Sequence, residues 1–138
     1  MVALVGILVT LLVLGAERSY ANYEEYQKHQ AAKLGTPSNQ RWIAKFDRAA
    51  ETMWLSHLRR IKRRELIGSP ALCVGARLGG EVRVFNRLVS LAVGIDLNPG
   101  QHTPLVMFGD AHRLAFNNNS FATLYTNVLD HSAHKPHL

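Results

Sequence analysis

Between Ala71 and Asp96 the chain lays down an apolar run, a glycine-rich turn, a helical pattern, a second apolar run and a terminal acid. Ala71-Leu72-Cys73-Val74 has the length and continuous apolarity of a strand buried on both faces of a parallel sheet. Gly75-Ala76-Arg77-Leu78-Gly79-Gly80-Glu81 follows, then a helical pattern of about ten residues, then Leu91-Ala92-Val93-Gly94-Ile95-Asp96. Glycines let the backbone turn sharply and approach a ligand, and the helix start leaves N–H groups unpaired. An acid about 20 residues on accepts from ribose hydroxyls. The pattern predicts an α/β sheet whose first turn seats an adenosine-type cofactor. The turn does not spell G-x-G-x-x-G, because Arg77 stands at the second glycine position.

A third apolar run, Leu105-Val106-Met107-Phe108, closes on Gly109-Asp110-Ala111-His112-Arg113-Leu114-Ala115-Phe116. Asn118-Asn119-Ser120-Phe121 precedes a fourth, Ala122 to Tyr125, after which the chain reads Thr126-Asn127-Val128-Leu129-Asp130-His131. In this order the motifs closely resemble the class I S-adenosylmethionine-dependent methyltransferases, specifically the type 11 group. The pattern of that group runs roughly G-D-A-x-x-L-P-F-x-D-N-S-F-D, followed by a strand and a short L-[ED]-H-like segment. The match extends from about Ser69 to His131.

The resemblance implies a Rossmann-like fold and a seat for S-adenosyl-L-methionine. Gly75, Arg77 and Gly79 would surround the methionine moiety, and Asp96 would hold the ribose. Asp110 with Ala111 would meet the adenine, with His112 shaping that pocket, and Thr126 or Asn127 would lie near the sulfonium. Three departures qualify the likeness. Ala122 replaces the second Asp of the S-F-D signature. Only eight residues separate Asp96 from Leu105, fewer than the dozen or so of an ordinary parallel crossover, so Asn98-Pro99-Gly100 is expected to form a loop there. Class I enzymes build seven strands, and this chain has material for about four. The expectation is a partial parallel sheet with an exposed strand edge open to a partner chain.

At 138 residues and 47% apolar content the chain suffices for one domain. Cys73 is the only cysteine, which excludes an intrachain disulfide and suits a small buried side chain. His131, His134 and His137 recur every third residue near the end. No carboxylate or thiolate cluster joins them, so no metal site is expected. No nucleophile, base and orienter set is recognisable, and methyl transfer from a sulfonium needs none beyond positioning.

Val2 to Ala16 is apolar apart from Thr10. As a helix it would reach roughly 22 Å, short of the ~30 Å hydrocarbon core unless extended through Tyr20 and Tyr23. Residues 1–17 are therefore expected as a single-pass membrane anchor or a signal segment, with Ser19-Tyr20-Ala21 as a cleavage option; a buried helix is the third choice. Arg18, Lys28 and Lys33 follow the segment and nothing basic precedes it, which places the globular part in the cytoplasm. Asn118-Asn119-Ser120 is a glycosylation sequon that would matter only on the lumenal side.

Residues 18–35 read as a polar stalk and residues 36–138 as the α/β domain. Thr36 and Pro37 open an amphipathic helix in which Trp42, Phe46, Ala49, Ala50, Met53, Trp54, His57, Leu58 and Ile61 recur at helical spacing. This face is expected to pack on the sheet or a neighbouring helix, or else to dock on a membrane or substrate. Arg59, Arg60, Lys62, Arg63 and Arg64 end the helix, where they suit its dipole and, on a chain of net charge +6, contact with anionic lipid. Nucleic acid is not the expected partner. The function implied is methyl transfer to an unspecified acceptor. Its alternatives are a non-catalytic, membrane-associated binding or regulatory module and, less well matched by Gly109 to Phe121, an NAD-dependent oxidoreductase.

Overall fold

The structure, a computed structural model, describes residues 20–100 and 103–128. The element order is α1 (Tyr23–Ala32), α2 (Pro37–Lys62), β1 (Ala71–Val74), α3 (Gly80–Phe85), β2 (Ala92–Asp96), β3 (Val106–Phe108) and β4 (Thr123–Thr126). The four strands form one sheet in the order β3-β2-β1-β4, and every pairing is parallel. This is an α/β fold with a small parallel sheet, as the apolar runs predicted.

β1 is central, with Cys73 opposite Gly94 of β2 and Tyr125 of β4. All four of its residues are buried. On one side of the sheet α2 and α3 supply Ala50, Trp54, Leu58, Val82 and Phe85 to a core that includes Cys73 and Tyr125. Leu72, Val74 and Ile95 form a second cluster, covered by Phe116 and Phe121 from the loop before β4. The loop rings meet edge to face at 4.9 Å, a favourable aromatic arrangement. A loop thus does the covering that a crossover helix usually does in parallel sheets.

Local chemistry explains the helix boundaries. Thr36 is extended and its side chain accepts from the Asn39 N–H at 3.3 Å, while Pro37 takes the first helical position. Asn22 caps α1 in the same way at 2.9 Å, with Glu24 and Glu25 in the first turn. α3 has no side-chain cap of its own. Instead Asp47 of α2 accepts the Gly80 N–H at 2.8 Å, and Arg83 bonds Asp47 and Glu51 while Arg87 bonds Glu51. These exposed arginines contribute little energy singly; their role is to hold α3 in register against α2.

Two expectations change, the length of the helix after Gly79 and the single apolar face of α2. The helical pattern after Gly79 yields only six helical residues, because Asn86 bonds both Val82 O and Ala92 O and turns the chain into β2. The short path from β2 to β3, expected as a loop, is feasible because β3 starts opposite Gly94. The chain retraces only two strand residues, about 7 Å. Residues 18–35, expected as a helical or loosely ordered stalk, include helix α1, whose Tyr26 is buried. The apolar face of α2 divides: Ile43, Ala50, Trp54 and Leu58 are buried, whereas Trp42, Phe46 and Met53 are exposed.

Among the described residues no helix is long and apolar enough to cross a membrane. The expected anchor over 1–17 and the three C-terminal histidines lie outside the described residues.

The Tyr125 ring packs against Phe85 at 5.3 Å and Trp54 at 6.3 Å, but its hydroxyl is buried with no hydrogen-bond partner. A buried donor left unsatisfied costs about 1 to 3 kcal/mol. Tyr125→Phe keeps the ring and removes the orphan, so urea unfolding should report a gain of about 1 kcal/mol; a loss would mean the hydroxyl is satisfied.

Candidate functional site

In a parallel sheet all strands end on the same edge, and strand order reverses between β1 and β4. In open α/β sheets ligands commonly bind outside the carboxyl ends of the strands at such a reversal. The turn after β1 borders the reversal on one side and the end of β4 on the other. The expected residues therefore converge: Gly75, Arg77 and Gly79 follow β1, Asp96 ends β2, Asp110 and Ala111 follow β3, and Asn127 follows β4.

The turn is built from left-handed residues, with φ of 76° at Gly75, 38° at Arg77 and 80° at Gly79. Gly75 N–H and Ala76 N–H both donate to Ile95 O, at 2.8 and 3.1 Å, tying the turn to β2. Arg77 pays a steric cost for its backbone angle that glycine avoids. In that conformation its N–H donates to Asp96 Oδ2 at 3.1 Å, while Asn98 N–H donates to Asp96 Oδ1 at 2.7 Å. Both carboxylate oxygens are thus oriented by main chain, and each keeps further acceptor capacity.

A Cβ on Gly79 would meet Thr103 and Val106 at 3.0 and 3.1 Å, and one on Gly75 would lie 2.6 Å from Val128. Both positions therefore require glycine twice over, for the left-handed backbone and for the protein's own packing.

Asp110 is held by three contacts. Its Oδ2 accepts from the Tyr23 hydroxyl at 2.6 Å, its Oδ1 accepts from His112 N–H at 2.8 Å, and its backbone bridges to Arg113. Beside it lies an apolar cleft of about 140 Å³ lined by Ile95, Phe108, Leu114 and Phe116 among others. Ala111 is exposed.

α1 lies across this edge. Tyr23 meets His112 edge to face at 5.5 Å and stacks on Tyr26 at 5.7 Å, and Asn98 Nδ2 donates to the carbonyls of Gln30 and Ala31 at 3.3 and 3.1 Å. Burial and the neighbouring Asp110 push the Tyr23 phenol up, and burial and Asp96 do the same to Tyr26. Both tyrosines are therefore neutral donors. The sequence reads these tyrosines as part of a polar stalk; nothing local indicates that Tyr23 would bond Asp110.

Glu81 is a second residue that sequence reasoning missed. Its Oε1 accepts from Asn127 Nδ2 at 2.8 Å, which joins the start of α3 to the end of β4. Thr126 turns inward on its own loop, accepting from Val128 N–H at 3.3 Å. Among the described residues no group of three His, Cys, Asp or Glu could hold a metal ion.

Burial raises the Glu81 carboxyl from its ordinary 4.5 to about 7, against the opposing pull of the Asn127 amide. A raised carboxyl stabilises the fold below its unfolded value and loses that contribution as pH climbs through its folded value. Thermal melts across pH should show this loss between about pH 4.5 and 7. Glu81→Gln should flatten that slope and melt higher than the parent at pH 8; an unchanged slope would place the ionisation elsewhere.

No family model, no curated protein and no solved structure matches this chain.

Proposed function

We propose that this chain binds S-adenosyl-L-methionine at the strand-end edge and is a methyltransferase-like protein with a partial Rossmann-like sheet. The observation that carries the reading is Asp96: a carboxylate at the end of β2, oriented by the N–H groups of Arg77 and Asn98. It stands beside a left-handed turn and next to the reversal of strand order. A pair of ribose hydroxyls needs such an acceptor.

The donor set suits the cofactor. Asp110 offers a carboxylate at the mouth of an apolar cleft, the combination that an amino-bearing planar ring requires. Asn127 and Glu81 supply an amide and a carboxyl on the β4 side. When bound, the cofactor supplies a methyl group on a sulfonium already activated for displacement. The protein's part is to orient, to exclude water and to hold the acceptor. Tyr23 occupies one oxygen of Asp110, so α1 must yield that bond to a ligand that uses it.

A second reading, a non-catalytic module on a decayed methyltransferase fold, is favoured by the outer edge of β4. There Leu124 is 50% exposed, and no strand among the described residues pairs with that edge.

Isothermal titration of S-adenosylhomocysteine into the full chain separates the two. Saturable heat is expected. Asp96→Asn, which swaps an acceptor for a donor, should weaken binding at least tenfold, the scale of a hydrogen bond to a charged group. Tyr23→Phe should tighten it a few-fold by releasing Asp110. A folded chain giving no heat overturns the cofactor reading in favour of the module.

A further inference from the structure

α2 carries two apolar faces and the core uses one. On the other, Trp42, Phe46, Ala49 and Met53 follow one another at spacings of four, three and four, a single stripe along the helix. Trp42, Phe46 and Met53 are 65%, 55% and 51% exposed. The Trp42 and Phe46 rings stack on each other with centroids 5.5 Å apart, 11° from parallel. Continuing along the same face, helical spacing reaches Arg60, and Arg64 follows in the turn just past the helix end.

Arg59, Arg60, Arg63 and Arg64 are exposed, and no ion pair among the described residues engages them. Lys62 differs: its ammonium donates to Ile67 O at 2.8 Å and ties the helix end to the segment leading into β1. The helix dipole favours cations within its last turn, where Arg59, Arg60 and Lys62 stand. Arg63 and Arg64 beyond that turn, together with an aromatic stripe, exceed what the end of α2 requires.

We propose that this face of α2 docks on the surface of an anionic phospholipid bilayer, Trp42, Phe46 and Met53 entering the headgroup boundary and Arg60 and Arg64 pairing with lipid phosphates. Charge complementarity selects the occupant. Tryptophan and phenylalanine beside arginines is the chemistry of a helix lying in a membrane interface. Long arginine side chains reach phosphate while their stems follow the apolar face. The same chain carries the apolar run Val2 to Ala16, whose composition suits the same phase. The proposal is independent of the cofactor reading, since none of these side chains belongs to that site.

The test uses the full chain with vesicles of phosphatidylcholine, alone or mixed with phosphatidylserine, both containing tail-brominated lipid. Trp42 and Trp54 are the only tryptophans, and Trp54 is buried in the core, so contact quenching by bromine reports Trp42. Quenching is expected on the anionic vesicles and absent in Trp42→Phe. Arg60→Glu with Arg64→Glu should weaken the association at least tenfold, with far-ultraviolet circular dichroism and S-adenosylhomocysteine titration unchanged. Should the double variant fold poorly, the parent serves alone, because raised salt must release Trp42. Quenching that is equal on both vesicles and insensitive to salt overturns the anionic assignment. Trp42 unquenched on anionic vesicles, or shielded without lipid in a chain that self-associates, overturns membrane docking and makes the stripe a protein interface.

Discussion

Parallel pairing of β1 with both β2 and β4 is the constraint on which the remaining geometry depends. It directs every strand toward one edge, so groups as far apart in sequence as Gly75 and Asn127 end on the same side of the molecule. It also requires cover on both faces of the sheet, because β1 is apolar and buried along its whole length. α2 and α3 cover one face, and the other receives Phe116 and Phe121. The segment carrying these two rings runs directly from Asp110 toward β4, so the loop that shapes the candidate cleft also seals the core behind it.

Around the strand ends, polar contacts position rather than stabilise. Asp47 caps α3 from another helix and thereby anchors the far end of the glycine turn. Asp96 holds its middle through Arg77 N–H. The turn is gripped at two points by carboxylates, which accounts for a non-glycine residue in left-handed conformation between Gly75 and Gly79. α1 completes the arrangement through neutral phenols. A tyrosine kept protonated by burial and by a neighbouring carboxylate can only donate to that carboxylate, and this makes the Tyr23 to Asp110 contact a defined closure.

The two faces of α2 connect site and surroundings. The buried half sets α3 and hence the turn, while the exposed half is free for other contact. A helix apolar all round is ordinarily buried all round. Here the basic end and the exposed aromatic pair describe a surface with different chemistry from the core.

Much of this was legible residue by residue. Strand length and apolarity, the left-handed glycines, the Thr36 cap and an acid closing the second strand are written within a few neighbouring residues, where sterics and capping act. The candidate site residues came from the methyltransferase resemblance, and parallel strands bring them to one edge of the sheet. Other features depended on partners remote in sequence. Trp42 and Trp54 are both aromatic at helical spacing, and only the placement of the sheet determined which was buried. Tyr23 and Tyr26 looked like polar stalk until α1 met the strand ends, Glu81 acquired its raised ionisation by burial near Asn127, and β3 could follow a short loop because of where it pairs. Sequence by itself determined the elements, since backbone sterics and capping are local. Tertiary structure alone decided which faces left water and which carboxylates met, because burial belongs to surfaces brought together from distant parts of the chain.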